Sequence, residues 1–130
     1  MEKTFGCEIC NSESAEDAWK AFVDSKVLES IIDESHFSIR LRVCSHCEQR
    51  YLSVFTETID WIDGQDPQLW SIIPVDATEF SKLTSIKNEN SLIESLKGFA
   101  PERKSLCFDW PKGSEPKKYW SQGVTIGPYD

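Results

Sequence analysis

The sequence predicts an α+β fold, an antiparallel sheet with two or three packed helices, formed as a single domain over residues 1–130. Three observations carry that reading. Apolar and polar residues alternate from Phe37 to Val43, and a second extended stretch follows from Gln49. Apolar positions recur at helical spacing after residue 15 and again in two shorter runs after residue 76. Cysteines arrive as two tight pairs, Cys7/Cys10 and Cys44/Cys47, far apart in the chain. At 130 residues the chain is long enough for a modest core, and five Trp, seven Phe and three Tyr offer large areas to bury.

Taken in order, the first helix is expected from Ala15 to Asp33. Ala18, Trp19, Phe22, Val23, Val27, Leu28, Ile31 and Ile32 recur at its spacing, and Ser14 with Asp17 resembles a capping box. Phe37, Ile39, Leu41 and Val43 then mark a strand that runs directly into Cys44. The second cysteine pair becomes the tip of a hairpin whose return strand is Gln49–Ile59. Asp63-Gly64-Gln65-Asp66-Pro67 is the strongest turn signal in the chain. Beyond it Leu69–Val75 reads as a third strand, placed at an edge by Pro74. Asp76 and Glu79 are spaced to cap a helix carrying Phe80, Leu83 and Ile86, and a second short helix starts at Ser91 and stops by Gly98 and Pro101. Ser105–Trp110 is a candidate fourth strand. The stretch 111–130 holds three of the six prolines and three of the six glycines, so an irregular tail is expected. Its Tyr119, Trp120, Ile126 and Tyr129 imply that it packs back onto the domain.

The cysteines carry the one strong chemical signal. Their spacing, C-x₂-C-x₃₃-C-x₂-C, brings four sulfurs as two pairs, the donor set for a tetrahedral cation, with Zn²⁺ the usual occupant. A site closed by Cys7, Cys10, Cys44 and Cys47 leaves no open position for substrate, so the metal is read as structural. A thioredoxin-like dithiol would need a C-x-x-C opening a helix, whereas Cys44 follows a strand. His46, inside the second pair, is expected to point outward, and His36 to lie at the surface. The fifth cysteine, Cys107, stands between Leu106 and Phe108 as a buried thiol, and an odd count argues against a disulfide framework.

Strand, cysteine knuckle and strand resemble the core of zinc-ribbon proteins over about residues 5–60, which implies a zinc-ribbon-like sheet. The pairs depart from the ribbon form C-P-x-C-G: Ile9 and His46 precede the second cysteine, and Asn11 and Glu48 occupy the place of its glycine. Glu48 accepts a positive φ less easily than Asn11, so a differently shaped second knuckle is expected. The run Phe55-Thr-Glu-Thr-Ile-Asp-Trp-Ile-Asp-Gly-Gln-Asp-Pro-Gln also resembles a stretch in small bacterial proteins of unassigned function. That resemblance implies a bacterial chain but no activity.

Charge narrows the function classes. The chain carries net −8 with a pI near 4.8. Residues 51–81 contain Glu57, Asp60, Asp63, Asp66, Asp76 and Glu79 and no Lys or Arg. Such a field repels phosphate backbones and attracts basic partners. The expectation is a non-enzymatic, acidic protein-binding domain, of the immunity or antitoxin kind that covers a basic toxin. Glu57, Asp60, Asp63, Asp66 and Asp76 would supply charge, and Trp61 or Trp70 an aromatic anchor. A cation site in the loop is disfavoured, because Asp60, Asp63 and Asp66 miss the EF-hand register. The second reading is a nucleic-acid-associated accessory protein using Arg40, Arg42 and Arg50 around the second knuckle. An enzyme built on Cys107 or on a second metal at the acidic loop is the third, and no P-loop, Rossmann, H-E-x-x-H or G-x-S-x-G pattern supports one. The start lacks an apolar run and no stretch approaches the roughly 18 apolar residues of a membrane span, so a cytoplasmic chain with reduced thiols is expected.

Overall fold

Alternating side chains build a six-stranded antiparallel sheet in which every strand pairs with the next in sequence. A computed structural model describes residues 5–127. The elements follow as α1 (Ala15–Val23), β1 (Lys26–Asp33), β2 (Phe37–Val43), β3 (Arg50–Glu57), β4 (Gln68–Val75), α2 (Ala77–Ser85), α3 (Glu89–Lys97), β5 (Lys104–Trp110) and β6 (Lys117–Gln122). Pairing follows the pleat. Leu41 stands opposite Leu52, and Leu52 opposite Ile73; Ile39 stands opposite Val54. These rows put one apolar face together, and Leu83 of α2 with Leu92 and Leu96 of α3 close it. Each fully buried Leu or Ile of this kind contributes about 1.5–3 kcal/mol.

The other face carries α1. Ala18 and Phe22 pack on Ile72 and Leu106, with Trp19, Trp70, Trp120 and Tyr51 around them. Ser14 starts this helix by accepting from Asp17 N at 3.3 Å. Asp76 starts α2 through a full capping box with Glu79, as its spacing predicts. Asn88, three residues ahead of the expected Ser91, caps α3 by accepting from Ser91 N.

Three expectations need correction. The helix from residue 15 stops at Val23 instead of reaching Asp33, and Lys26–Asp33 is edge strand β1. Ser25 ends the helix by donating to Phe22 O. Two bulges, between Val27 and Glu29 and between Ser30 and Ile32, break the β1–β2 register. Each bulge inserts a residue, so apolar positions no longer alternate and imitate the helical spacing. Pro74 does not mark an edge, since β4 lies between β3 and β5. Its carbonyl accepts from Arg103 Nη1, on the side where pairing with β5 has ended at Ile72. A strand residue's N–H points to the same side as its C=O, so the N–H that proline lacks is not needed by β3.

The stretch 111–130 is not an irregular tail throughout. Lys117–Gln122 forms the edge strand β6, with Trp120 opposite Leu106. Beyond it Val124 and Ile126 pack on the core, and Thr125 N donates to Ser71 Oγ at 3.1 Å. A Cβ at Gly127 would lie 2.7 Å from Thr56 Oγ1, so the chain crosses the sheet there at backbone distance. Tyr129 lies outside the described residues. Among the described residues, no helix is long and apolar enough to cross a membrane.

Candidate metal centre

The two cysteine pairs meet because β2 delivers Cys44 to a hairpin tip while the segment before α1 lays Cys7–Cys10 against it. Sγ–Sγ distances are 3.8 Å for Cys7–Cys10, 4.0 Å for Cys7–Cys44 and 3.7 Å for Cys10–Cys47. All four sulfurs lie within 4.8 Å of one another. A tetrahedron with metal–sulfur bonds of about 2.3 Å has edges of about 3.8 Å. The four cysteines therefore fit one tetrahedral ion, as their spacing predicts.

Both knuckles close a turn with a backbone hydrogen bond back to their first cysteine. Asn11 N donates to Cys7 O at 2.9 Å, and Glu48 N to Cys44 O at 3.0 Å. Glu48 takes a strained φ of +63°, whereas Asn11 at the matching place has no positive φ, so the two knuckles differ in shape there. Backbone amides reach the sulfurs as well, Cys7 N to Cys10 Sγ at 3.3 Å and His46 N to Cys44 Sγ at 3.4 Å. His46 is exposed, as expected for a residue inside the pair.

Three supporting residues carry little signal in the sequence. Tyr51, one residue into β3, donates its hydroxyl to Cys10 Sγ at 3.1 Å. Gly6 sits directly beneath that bond: a Cβ there would be 2.6 Å from Cys10 Sγ and 2.7 Å from Tyr51 Oη, and φ is +77°. Gln49 joins the first knuckle to the sheet, accepting from Gly6 N at 3.1 Å and donating to Val75 O at 3.0 Å. A glycine one residue before a cysteine pair, and polar and aromatic residues just after the other, are the only traces of this arrangement.

Without a cation the thiols cannot all ionise. Hydrogen bonding from the backbone of Cys10 holds Cys7 down to about 7, against some burial. Burial pushes Cys10 up; at Cys47, an exposed residue, partial desolvation of the sulfur together with the neighbouring thiols of Cys7, Cys10 and Cys44 pushes it up to about 12. A bound divalent ion reverses this, because it takes thiols in their deprotonated form.

No family model, curated protein or solved structure matches the chain. Chemistry at the site therefore rests on its own residues.

The acidic set divides. Asp60 is a loop-builder: its carboxylate accepts from Ile62 N, Asp63 N and Gln65 N, each at 3.2 Å, and Asp66 returns the favour to Asp60 N at 2.8 Å. Lys112 reaches Asp60 and Asp63, both at 3.2 Å. Burial alone would raise the Asp60 carboxyl, but the backbone donors and Lys112 together hold it below the ordinary carboxylate range. Glu57 is held by His36 Nδ1 at 3.1 Å and Gln68 Nε2 at 2.7 Å, so His36 has a partner that sequence reading did not supply. Asp76 caps α2 at the far end of β4, about 25 Å of strand away from the loop, and does not belong to this surface.

The two tryptophans also part. Trp70 packs among Phe55, Trp19 and Phe22, at ring-centroid distances of 4.6, 5.8 and 6.0 Å, in the core beneath α1. Trp61 is 85% exposed and its neighbour Ile62 88% exposed. A cleft of about 740 Å³ opens beside this loop, lined by Glu57, Asp66, Gln68, Trp110 and Glu115 among others.

The arginines near the second knuckle are each engaged within the fold. Arg40 pairs with Asp33 at 3.1 Å, Arg42 lies over the Phe22 ring of α1, and Arg50 lies over Phe80 of α2 on the opposite face. Cys107 is buried in β5, and burial with the charge of Asp109 pushes its thiol up, away from a nucleophilic thiolate.

Proposed function

We propose that this chain is a zinc-stapled, non-catalytic domain that binds a basic protein through the loop Asp60–Asp66. Zinc is the ion that four thiolates at tetrahedral edge distances favour. The zinc-ribbon likeness extends to the second knuckle at the β2–β3 tip, whereas the first leads into α1 instead of a second hairpin.

One observation carries the binding role: a bulky apolar pair, Trp61-Ile62, stands in solvent on a loop that Asp60 and Asp66 hold rigid. Aromatic anchors presented without further ordering lose little entropy on association, and they are the residues that dominate interface energetics. Charge supports the identity of the partner. Residues 51–81 carry six acids and no base, and the adjoining cleft offers Glu57, Asp66 and Glu115 to a cationic side chain. An inhibitor that covers the nucleic-acid-binding surface of a basic toxin fits this chemistry, steered by charge and anchored by the tryptophan. A bacterial cytoplasm, where thiols stay reduced, suits both the metal and such a partner.

The test is capture from a bacterial lysate on the zinc-loaded protein, with and without nuclease, followed by kinetics on the retained species. A basic protein should be retained regardless of nuclease. Trp61→Ala should weaken its binding by about 2 kcal/mol or more, a typical anchor loss. Asp63→Lys should slow association at low salt with the fold unchanged, whereas Asp60→Lys should also disorder the loop. Capture of nucleic acid alone, or a complex indifferent to Trp61→Ala, would sink the proposal.

A further inference from the structure

The four sulfurs of the metal centre are not equivalent. Cys10 and Cys44 are 8% and 3% exposed. Cys10 accepts from the Tyr51 hydroxyl and the Cys7 amide, and Cys44 from the His46 amide. Hydrogen bonds of this kind draw charge from a thiolate and, with burial, lower its reactivity toward external reagents. Cys47 also takes a backbone hydrogen bond, from Gln49, but unlike Cys10 and Cys44 it is exposed, at the turn between β2 and β3. Its sulfur lies 3.7 Å from that of Cys10, within the range where a second thiol intercepts an oxidised one.

We propose that Cys47 is a modification site of the metal centre, the sulfur at which hydroperoxides and soft electrophiles attack, with Cys10 as its resolving partner. The inference rests on reading the four cysteines as a zinc site, which keeps each sulfur a thiolate. With hydrogen peroxide, the Cys47 sulfur attacks one oxygen, the O–O bond breaks and hydroxide leaves, giving a sulfenic acid. The Cys10 sulfur then attacks the Cys47 sulfur, the S–O bond breaks, the S–S bond forms and a second hydroxide leaves. Two thiolates lose two electrons in total and peroxide takes both, its oxygens ending as two hydroxides. Cys10 is a poor first attacker yet a competent second one, because proximity replaces nucleophilicity in the intramolecular step. Oxidation thus exchanges one cross-link for another. The first knuckle stays tied to the β2–β3 hairpin, while only Cys7 and Cys44 remain as donors, too few for a closed site.

The experiment uses the full chain, with zinc content measured before any treatment. Substoichiometric iodoacetamide, followed by peptide mass spectrometry, should find Cys47 alkylated at least about 10-fold faster than Cys10 or Cys44. Hydrogen peroxide should give a Cys10–Cys47 disulfide, with zinc released in step with it. Tyr51→Phe retains all four thiols and should raise alkylation of Cys10 several-fold relative to the parent chain. Zinc-loaded protein that labels evenly, labels first at Cys7, or forms a Cys44–Cys47 disulfide would overturn the assignment. Protein purified without a stoichiometric metal would instead remove the zinc reading, and this proposal with it.

Discussion

Tyr51→Phe isolates one hydrogen bond at the metal centre. The ring remains, packed against Cys10, Ala21 and Cys44 on one side and the cluster beneath α1 on the other. Only the hydroxyl is lost, and with it the 3.1 Å donation to Cys10 Sγ. Burial, helped by the Cys10 sulfur, pushes the Tyr51 phenol far above its ordinary value, so it stays a donor over the whole physiological range. A hydrogen bond to a charged acceptor is worth about 1.5–3 kcal/mol. At about 1.4 kcal/mol per factor of ten, zinc affinity should fall roughly 10- to 100-fold. Competition against a chromophoric chelator reads that change directly. With Co²⁺ in place of zinc, the sulfur-to-metal charge-transfer bands should also move, since the thiolate becomes more electron-rich. Gly6→Ala approaches the same bond sterically, and part of its damage should be relieved when Tyr51 is already Phe. An unchanged affinity in Tyr51→Phe, with the fold intact, would show that Tyr51 serves packing alone and that the sulfur does not depend on its hydroxyl.

Further consequences are open to direct measurement. Glu48→Gly should stabilise the zinc-loaded protein by up to about 1 kcal/mol, because glycine takes φ +63° without strain; a lower melting temperature would contradict this. Zinc affinity should rise with pH through neutrality. Cys10 is raised and Cys47 stands at about 12, so binding near pH 7 must displace at least those two protons, giving roughly 100-fold tighter binding per pH unit. Metal-linked stability is correspondingly lost as pH falls, and a flat chelator-competition profile would contradict the pKa order. Trp70→Ala should cost about 3 kcal/mol in denaturant unfolding, while Trp61→Ala should stay within about 0.5 kcal/mol, since only Trp70 is packed.

What the sequence determined by itself was the chemistry that depends on short spacings. Two residues between cysteines define a knuckle, alternation from Phe37 to Val43 defines a strand with one apolar face, and Asp76 with Glu79 defines a helix start. The metal cluster, β2, β3, β4, α2 and the strand after Ser105 were legible for that reason. Resemblance to zinc ribbons pointed to the same knuckles.

Tertiary structure decided whatever depends on which strand a residue faces. β1 read as helix because two bulges disturb its alternation, and a bulge is set by the partner strand β2. β6 was hidden among prolines and glycines, and only its pairing with β5 reveals it. Asp60, Asp63, Asp66 and Asp76 looked like one acidic surface in the sequence. β4 carries Asp76 to the opposite end of the sheet, and backbone amides turn Asp60 inward. Trp61 and Trp70 were interchangeable as anchors until packing separated them, because exposure is a property of neighbours that lie far away in the chain. Tyr51, Gly6 and Gln49 converge on the cysteines from three separate segments, a convergence that no local spacing encodes.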